Sequence, residues 1–150
     1  MKRPERIDAL LADYAEAHRA PGNVLCHTVG ITLIVFGTLS MLHAVRIAGW
    51  VTASEVLVAA ASAWYFWLDA ALGTAMAVSA VLLDVMARLV GDWRVGLAAF
   101  VVGWIFQGVG HAVYEKNSPA FFRNLVHLLV GPAFLVNKLV KARPAPAPAR

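Results

Sequence analysis

Five histidines, one amide and one carboxylate carry most of the chemistry this sequence offers. The histidines are His18, His27, His43, His111 and His127. Gln107, His111 and Glu115 stand at i, i+4 and i+8 near the end of a long apolar run, so on a helix their side chains share one face. Imidazole is the commonest transition-metal ligand. Polar and ionisable groups in an apolar segment are costly in lipid and turn toward a bundle interior or a cavity. Gly103, Gly108 and Gly110 thin the same helix, so another backbone or a ligand can come close.

The elements that must position these residues are membrane helices. Of the 150 residues, 60% are hydrophobic and only 15% charged, a composition wrong for a soluble globule of this size. The apolar residues fall in runs over 24–42, 51–68, 70–90, 95–113 and 120–140. Each is near the roughly 20 residues that cross about 30 Å of hydrocarbon. The short alternating segments of a membrane β-barrel are missing. The expected fold is therefore an all-α integral membrane helical bundle. The net charge of +4 gathers at the two ends, in Lys2, Arg3, Arg6 and Arg19 and in Lys138, Lys141, Arg143 and Arg150. That pattern points to anionic lipid headgroups as partners and not to nucleic acid. The single cysteine, Cys26, has no internal disulfide partner and reads as a packing residue.

Residues 4–18 read as an amphipathic surface helix with Ile7, Leu10, Leu11 and Tyr14 on its apolar face and His18 continuing it. Pro21 and Gly22 should end it, and Asn23 should cap the first membrane helix. The acidic residues before Asn23 exclude a cleavable signal peptide. Trp64, Tyr65 and Trp67 look like an interfacial aromatic belt, with Asp69 and Gly73 flanking a tight turn. Asp84 and Arg88, four apart, are expected to pair. The last run carries Arg123, Asn124, His127 and the pair Gly131-Pro132, and proline breaks helices. With both basic ends in the cytoplasm, an even number of spans is required. The reading is four spans plus a broken or re-entrant fifth segment. It divides the chain into an N-terminal helix and linker (1–22), a membrane domain (23–140) and a disordered Pro/Ala tail (141–150). The expected location is a bacterial cytoplasmic membrane.

This topology sorts the histidines. His27 and His43 are sixteen residues apart on one span, so about 24 Å separates them and they cannot share a metal. His18, His27, His111 and His127 converge on the cytoplasmic side, with Glu115 one turn from His111. His43 is left on the other side, as an interfacial hydrogen-bonding residue. Four imidazoles with one carboxylate suit Fe(II), Zn or Cu better than Mg or Ca. Asn23, Gln107 and Asn124 share faces with their histidine neighbours and could orient the rings, or could bond between helices. No zinc-finger spacing, His-Glu-x-x-His helix, Gly-x-Ser-x-Gly elbow or phosphate loop is present.

Tyr14-x-x-x-His18, Asn23-x-x-x-His27-x-x-Gly30, Gly103-Trp-Ile-Phe-Gln107-x-x-Gly110-His111, Glu115-Lys116-x-x-Pro119-Ala120 and Asn124-Leu-Val together resemble the membrane 2-hydroxy fatty acid dioxygenases. The resemblance runs from about Leu10 to Leu135 and is most specific over 107–120. It implies an Fe(II)-dependent enzyme of fatty acid α-oxidation that uses O2 to shorten a 2-hydroxy fatty acid by one carbon. It maps essential histidines onto His18, His27 and His111; His127 as a ligand rests on the topology alone. A 2-hydroxy acid can chelate iron through its carboxylate and hydroxyl, with its chain lying between helices. Lys116, Arg19 or Arg123 could draw in the carboxylate. A bis-histidine b-type haem protein and a non-enzymatic membrane scaffold or small transporter remain as alternatives. The oligomeric state is not legible.

Overall fold

A computed structural model describes residues 3–16, 18–115 and 126–140. Asn124, Lys116, Arg123 and the 141–150 tail lie outside the described residues. The elements run α1 (Arg3–Glu16), α2 (Pro21–Leu42), β1 (Arg46–Ala48), β2 (Val51–Thr52), α3 (Ala53–Leu68), α4 (Ala70–Val90), α5 (Trp93–Val109), a π-helical turn (Gly110–Glu115) and α6 (His127–Val140). The described residues are all-α apart from the antiparallel pair β1–β2, which turns at Gly49 (φ 54°). Among them, three helices are long and apolar enough to cross a membrane: α2, α4, and α5 continued through the π turn. At 16 and 14 residues, α3 and α6 are apolar but shorter.

Their outer faces are what a membrane helix needs. Val78, Val81, Leu82, Val101 and Ile105 are all at least half exposed. An apolar surface that continuous marks contact with lipid or with another apolar partner.

The central contact is between antiparallel α2 and α5, and it is built on small residues. Asn23, Gly30 and Gly37 on α2 face Gly110, Gly103 and Gly96 on the α5 side. All six stand at seven-residue intervals. A Cβ on Gly30 would sit 2.8 Å from the Gly103 carbonyl oxygen, and one on Gly103 would sit 2.7 Å from the Gly30 oxygen. Backbones approach this closely only where side chains are missing. Gly108, by contrast, has open space at its Cβ and plays no part in the approach.

A second core lies beside this pair. Ile7, Leu11 and Tyr14 of α1 pack against Tyr65, Leu68, Leu72, Met76, Val130 and Ala133. The apolar face of α1 is thus covered by α3, α4 and α6 and does not lie open to lipid. α3 starts beside His43 and ends in this cluster, where the Tyr65 hydroxyl donates to the Leu129 carbonyl at 2.7 Å. Tyr65 is therefore a core residue, although Trp67 is exposed as a belt residue would be.

Several local expectations are corrected. α2 begins at Pro21, with Ala20 as its N-cap, because proline fits the first helical position, where its missing N–H costs nothing. Asn23 is accordingly inside the helix and fully buried. α6 runs unbroken through Pro132. That proline is only five residues past the helix start, so a single intrahelical N–H bond is forgone. Asp84 and Arg88 do not pair with each other. Asp84 accepts from Ser54, and Arg88 bridges to Glu55, because α3 packs alongside α4 and offers closer partners.

Candidate metal centre

Three histidines meet where α2 and α5 end together. His27 lies on the second turn of α2, His18 just before that helix, and His111 in the π turn. Their exposures are 3%, 5% and 3%. One nitrogen from each lies within 4.8 Å of one from each of the others. The ring centroids are 4.4, 5.0 and 4.8 Å apart, with interplanar angles of 74°, 71° and 86°. The rings therefore converge edge-on from three directions.

Local bonds set the tautomers. His18 Nδ1 lies 2.6 Å from the Tyr14 carbonyl oxygen, and His27 Nδ1 lies 3.0 Å from the Asn23 carbonyl oxygen. A carbonyl only accepts, so both Nδ1 atoms carry the proton and both Nε2 atoms carry lone pairs. Those two Nε2 atoms are 3.1 Å apart. Two lone pairs facing each other in a buried site repel, unless a cation takes both. Two imidazole nitrogens bound to one ion at about 2.0–2.1 Å lie roughly 2.9–3.4 Å apart for angles of about 90–110°. The donor set thus fits a metal ion, and these three residues could hold one. Burial pushes His18 down to about 4, which keeps its ring in the neutral, metal-binding form. Three rings this close leave no slot for a porphyrin plane between them.

The surroundings hold the rings. Tyr14 stacks on His18 at 3.9 Å with planes 9° apart. Burial of the Tyr14 hydroxyl raises its pKa, so the phenol stays neutral. A Cβ on Gly110 would collide with the Asn23 side chain and come within 3.2 Å of His27 Nδ1, so only glycine lets His27 and His111 approach this way. The π turn adds a residue to the helix at the point where His111 must turn inward, a distortion frequent at functional sites.

Glu115 does not join the three nitrogens. Its Oε1 accepts from the Ala20 backbone N–H at 2.7 Å and from Asn23 Nδ2 at 3.3 Å. It therefore clamps the start of α2, where the helix dipole favours a negative charge. Asn23 gives its backbone oxygen to His27 and its amide to Glu115, linking the two. His127 is likewise outside the nitrogen group. Its Nε2 lies 2.8 Å from Asp13 Oδ2, and its ring meets Tyr14 edge-on at 6.0 Å.

A cavity of about 70 Å³ opens beside the three rings. Tyr14, Gln107 and His127 line it with the three histidines, and beyond them Ile31, Trp104 and Leu128 make an apolar wall. Of the residues that the sequence analysis grouped, His18, His27, His111, Tyr14, Gln107 and His127 share this cavity, and Asn23 and Glu115 sit just behind it. Sequence reasoning missed Asp13 as the partner of His127. It also missed a second cluster at the far end of α2, where His43, Glu55 and Asp84 come within 4.8 Å of one another. Asp13 did stand on the polar face of α1, but nothing in the linear spacing links it to a residue so far along the chain.

Residues 5–143 match the family model described as Mpo1-like, 2-hydroxy-palmitic acid dioxygenase Mpo1-like. Over 130 residues the chain is 36% identical to the 2-hydroxy-palmitic acid dioxygenase MPO1 of Saccharomyces cerevisiae, covering 84% of this chain and 75% of that protein. No solved structure matches.

Proposed function

The chain belongs to the Mpo1-like 2-hydroxy-palmitic acid dioxygenase family, and from that premise we propose that it is an Fe(II)-dependent dioxygenase that shortens 2-hydroxy fatty acids by one carbon with O2. One observation carries the proposal: two buried imidazole lone pairs face each other at 3.1 Å, beside a third histidine and an apolar cavity. Among biological metals, an all-imidazole set with positions left open suits iron, zinc or copper, and O2 chemistry selects a redox metal. Bound Fe(II) would supply the one-electron chemistry through which O2 reacts with an organic substrate.

The protein's own residues do the rest. His18, His27 and His111 would hold the ion, and the cavity lies beside them. Tyr14 and the Asn23 backbone hold two of the rings in their binding tautomer, and Glu115 fixes the helix start that carries His27. The cavity is far below the roughly 300–1,000 Å³ of a whole small-molecule site. It suits a carboxylate-hydroxyl head group and O2, with the acyl chain passing between helices along Ile31, Trp104 and Leu128. Those walls exclude water from the reacting carbons.

The four-span topology is part of the proposal. The start of α2 and the end of α5 meet in the histidine group, so the chain between them must return to the side it left. α3 starts beside His43 and α4 ends there, which supports α3 as a short fourth crossing. Both termini then lie on one side, the cytoplasmic side by their basic charge.

The experiment is anaerobic purification with Fe(II), incubation with 2-hydroxyhexadecanoic acid and O2, and mass spectrometry of the lipids. The proposal expects a product one carbon shorter. Unchanged substrate with stoichiometric iron would overturn the reaction. A Soret band would favour haem, and no bound transition metal would favour a scaffold.

A further inference from the structure

Two residues of the cavity wall each carry a buried polar atom with no hydrogen-bond partner among the described residues: Gln107 Nε2, which packs beside Gly30, and His127 Nδ1. Both residues line the cavity with the three histidines, and both are more than nine-tenths buried, at 7% and 6% exposure. A buried polar group left unpaired is expensive and is seldom kept without a reason. Their chemistries are complementary. In the neutral ring, with Nε2 donating to Asp13 Oδ2 at 2.8 Å, Nδ1 is the acceptor. Gln107 Nε2 is an amide donor.

We propose that His127 Nδ1 and Gln107 Nε2 form an acceptor–donor pair that reads the head group of a 2-hydroxy acid, His127 accepting from the 2-hydroxyl and Gln107 donating to the carboxylate. His127 is on this account a specificity residue, and Asp13 is the positioning residue that fixes its tautomer. The inference rests on the reading of this cavity as a 2-hydroxy acid site. It goes further in assigning the hydroxyl and the carboxylate of the substrate each to a residue, and in giving His127 a task other than metal binding. Apart from Tyr14 and the three metal-site histidines the rest of the wall is apolar, so a fatty acid without the hydroxyl would leave Nδ1 unpaired. Sites built to bond a hydroxyl reject analogues that lack one far better than apolar pockets reject an added methylene.

The test is anaerobic binding, with no turnover. Fe(II)-loaded protein in detergent is titrated calorimetrically with 2-hydroxyhexadecanoic acid and with hexadecanoic acid, and iron content is measured for each variant. Wild type should bind the hydroxy acid at least tenfold more tightly. His127→Ala should retain iron and narrow the gap between the two affinities by weakening only the hydroxy acid. His127→Gln, whose amide oxygen can accept, should recover part of the preference and also guards against a folding defect in the alanine variant. Gln107→Leu should weaken both acids about equally, by roughly tenfold, and keep the preference. An undiminished preference in iron-loaded His127→Ala overturns the inference while leaving the proposed function intact. Loss of iron from both His127 variants would make His127 a ligand and also overturn it. Wild-type protein that binds iron but neither acid would overturn the proposed function and this inference together.

Discussion

Two groups of three ligand-type side chains stand at opposite ends of α2, and they meet the same distance criterion. At one end are His18, His27 and His111; at the other are His43, Glu55 and Asp84. The far group is paired throughout. His43 faces Thr52 at 3.1 Å and the Asp84 carboxylate at 3.1 Å, Asp84 also accepts from Ser54, and Glu55 closes a capping box with Thr52 and bridges to Arg88. These bonds tie the end of α2 to the start of α3 and the last turns of α4, and each of the three side chains has a polar partner outside the group. In the near group the backbone has taken the Nδ1 protons and left two Nε2 lone pairs opposed. Proximity of donor atoms is therefore common to both ends; two imidazole nitrogens opposed at 3.1 Å, with their Nδ1 protons given to backbone carbonyls, belong to one.

The comparison can be broken most severely at His27. His27→Ala or His111→Ala should abolish both bound metal and turnover, because an open site with one ligand fewer loses most of its affinity; metal analysis and product assay check this. Next comes the glycine register. Gly110→Ala should lower iron affinity at least tenfold by forcing Asn23 and His27 away, whereas Gly108→Ala, facing open space, should bind iron as wild type does; parallel iron titrations separate the two. Glu115→Gln keeps the shape but weakens the clamp on Ala20 and Asn23, and should cost about 10- to 100-fold in metal affinity or activity without abolishing either. The smallest effect on chemistry should come from the far end. His43→Ala should leave iron and turnover in place and lower stability by about 1–3 kcal/mol, the cost of stranding partly buried partners, read from thermal unfolding in detergent.

Much of this contrast was legible in the linear chain. The hydrophobic runs disclosed an all-α apolar bundle. The distance along α2 separated His27 from His43, and the spacing of Gln107 and His111 placed both on the cavity face. What escaped depends on partners far apart in sequence. Glu115 shares the helical spacing of His111, but the π turn and the nearby Ala20 N–H turn its carboxylate to the start of α2. Asn23 reads as a cap, yet Pro21 starts the helix earlier and frees Asn23 to be buried. His127 reads as a fourth ligand by topology, and only the folded chain reveals Asp13 holding its Nε2. The seven-residue glycine spacing was visible, but its match between two antiparallel helices requires their pairing to be known.

On the proposed function, the metal sits at the His18 end of α2 and not at the His43 end. Iron stoichiometry after anaerobic reconstitution tests it directly in three proteins: wild type, His27→Ala and His43→Ala. The account expects one iron per chain in wild type and in His43→Ala, and none in His27→Ala. Iron retained by His27→Ala and lost from His43→Ala would contradict it.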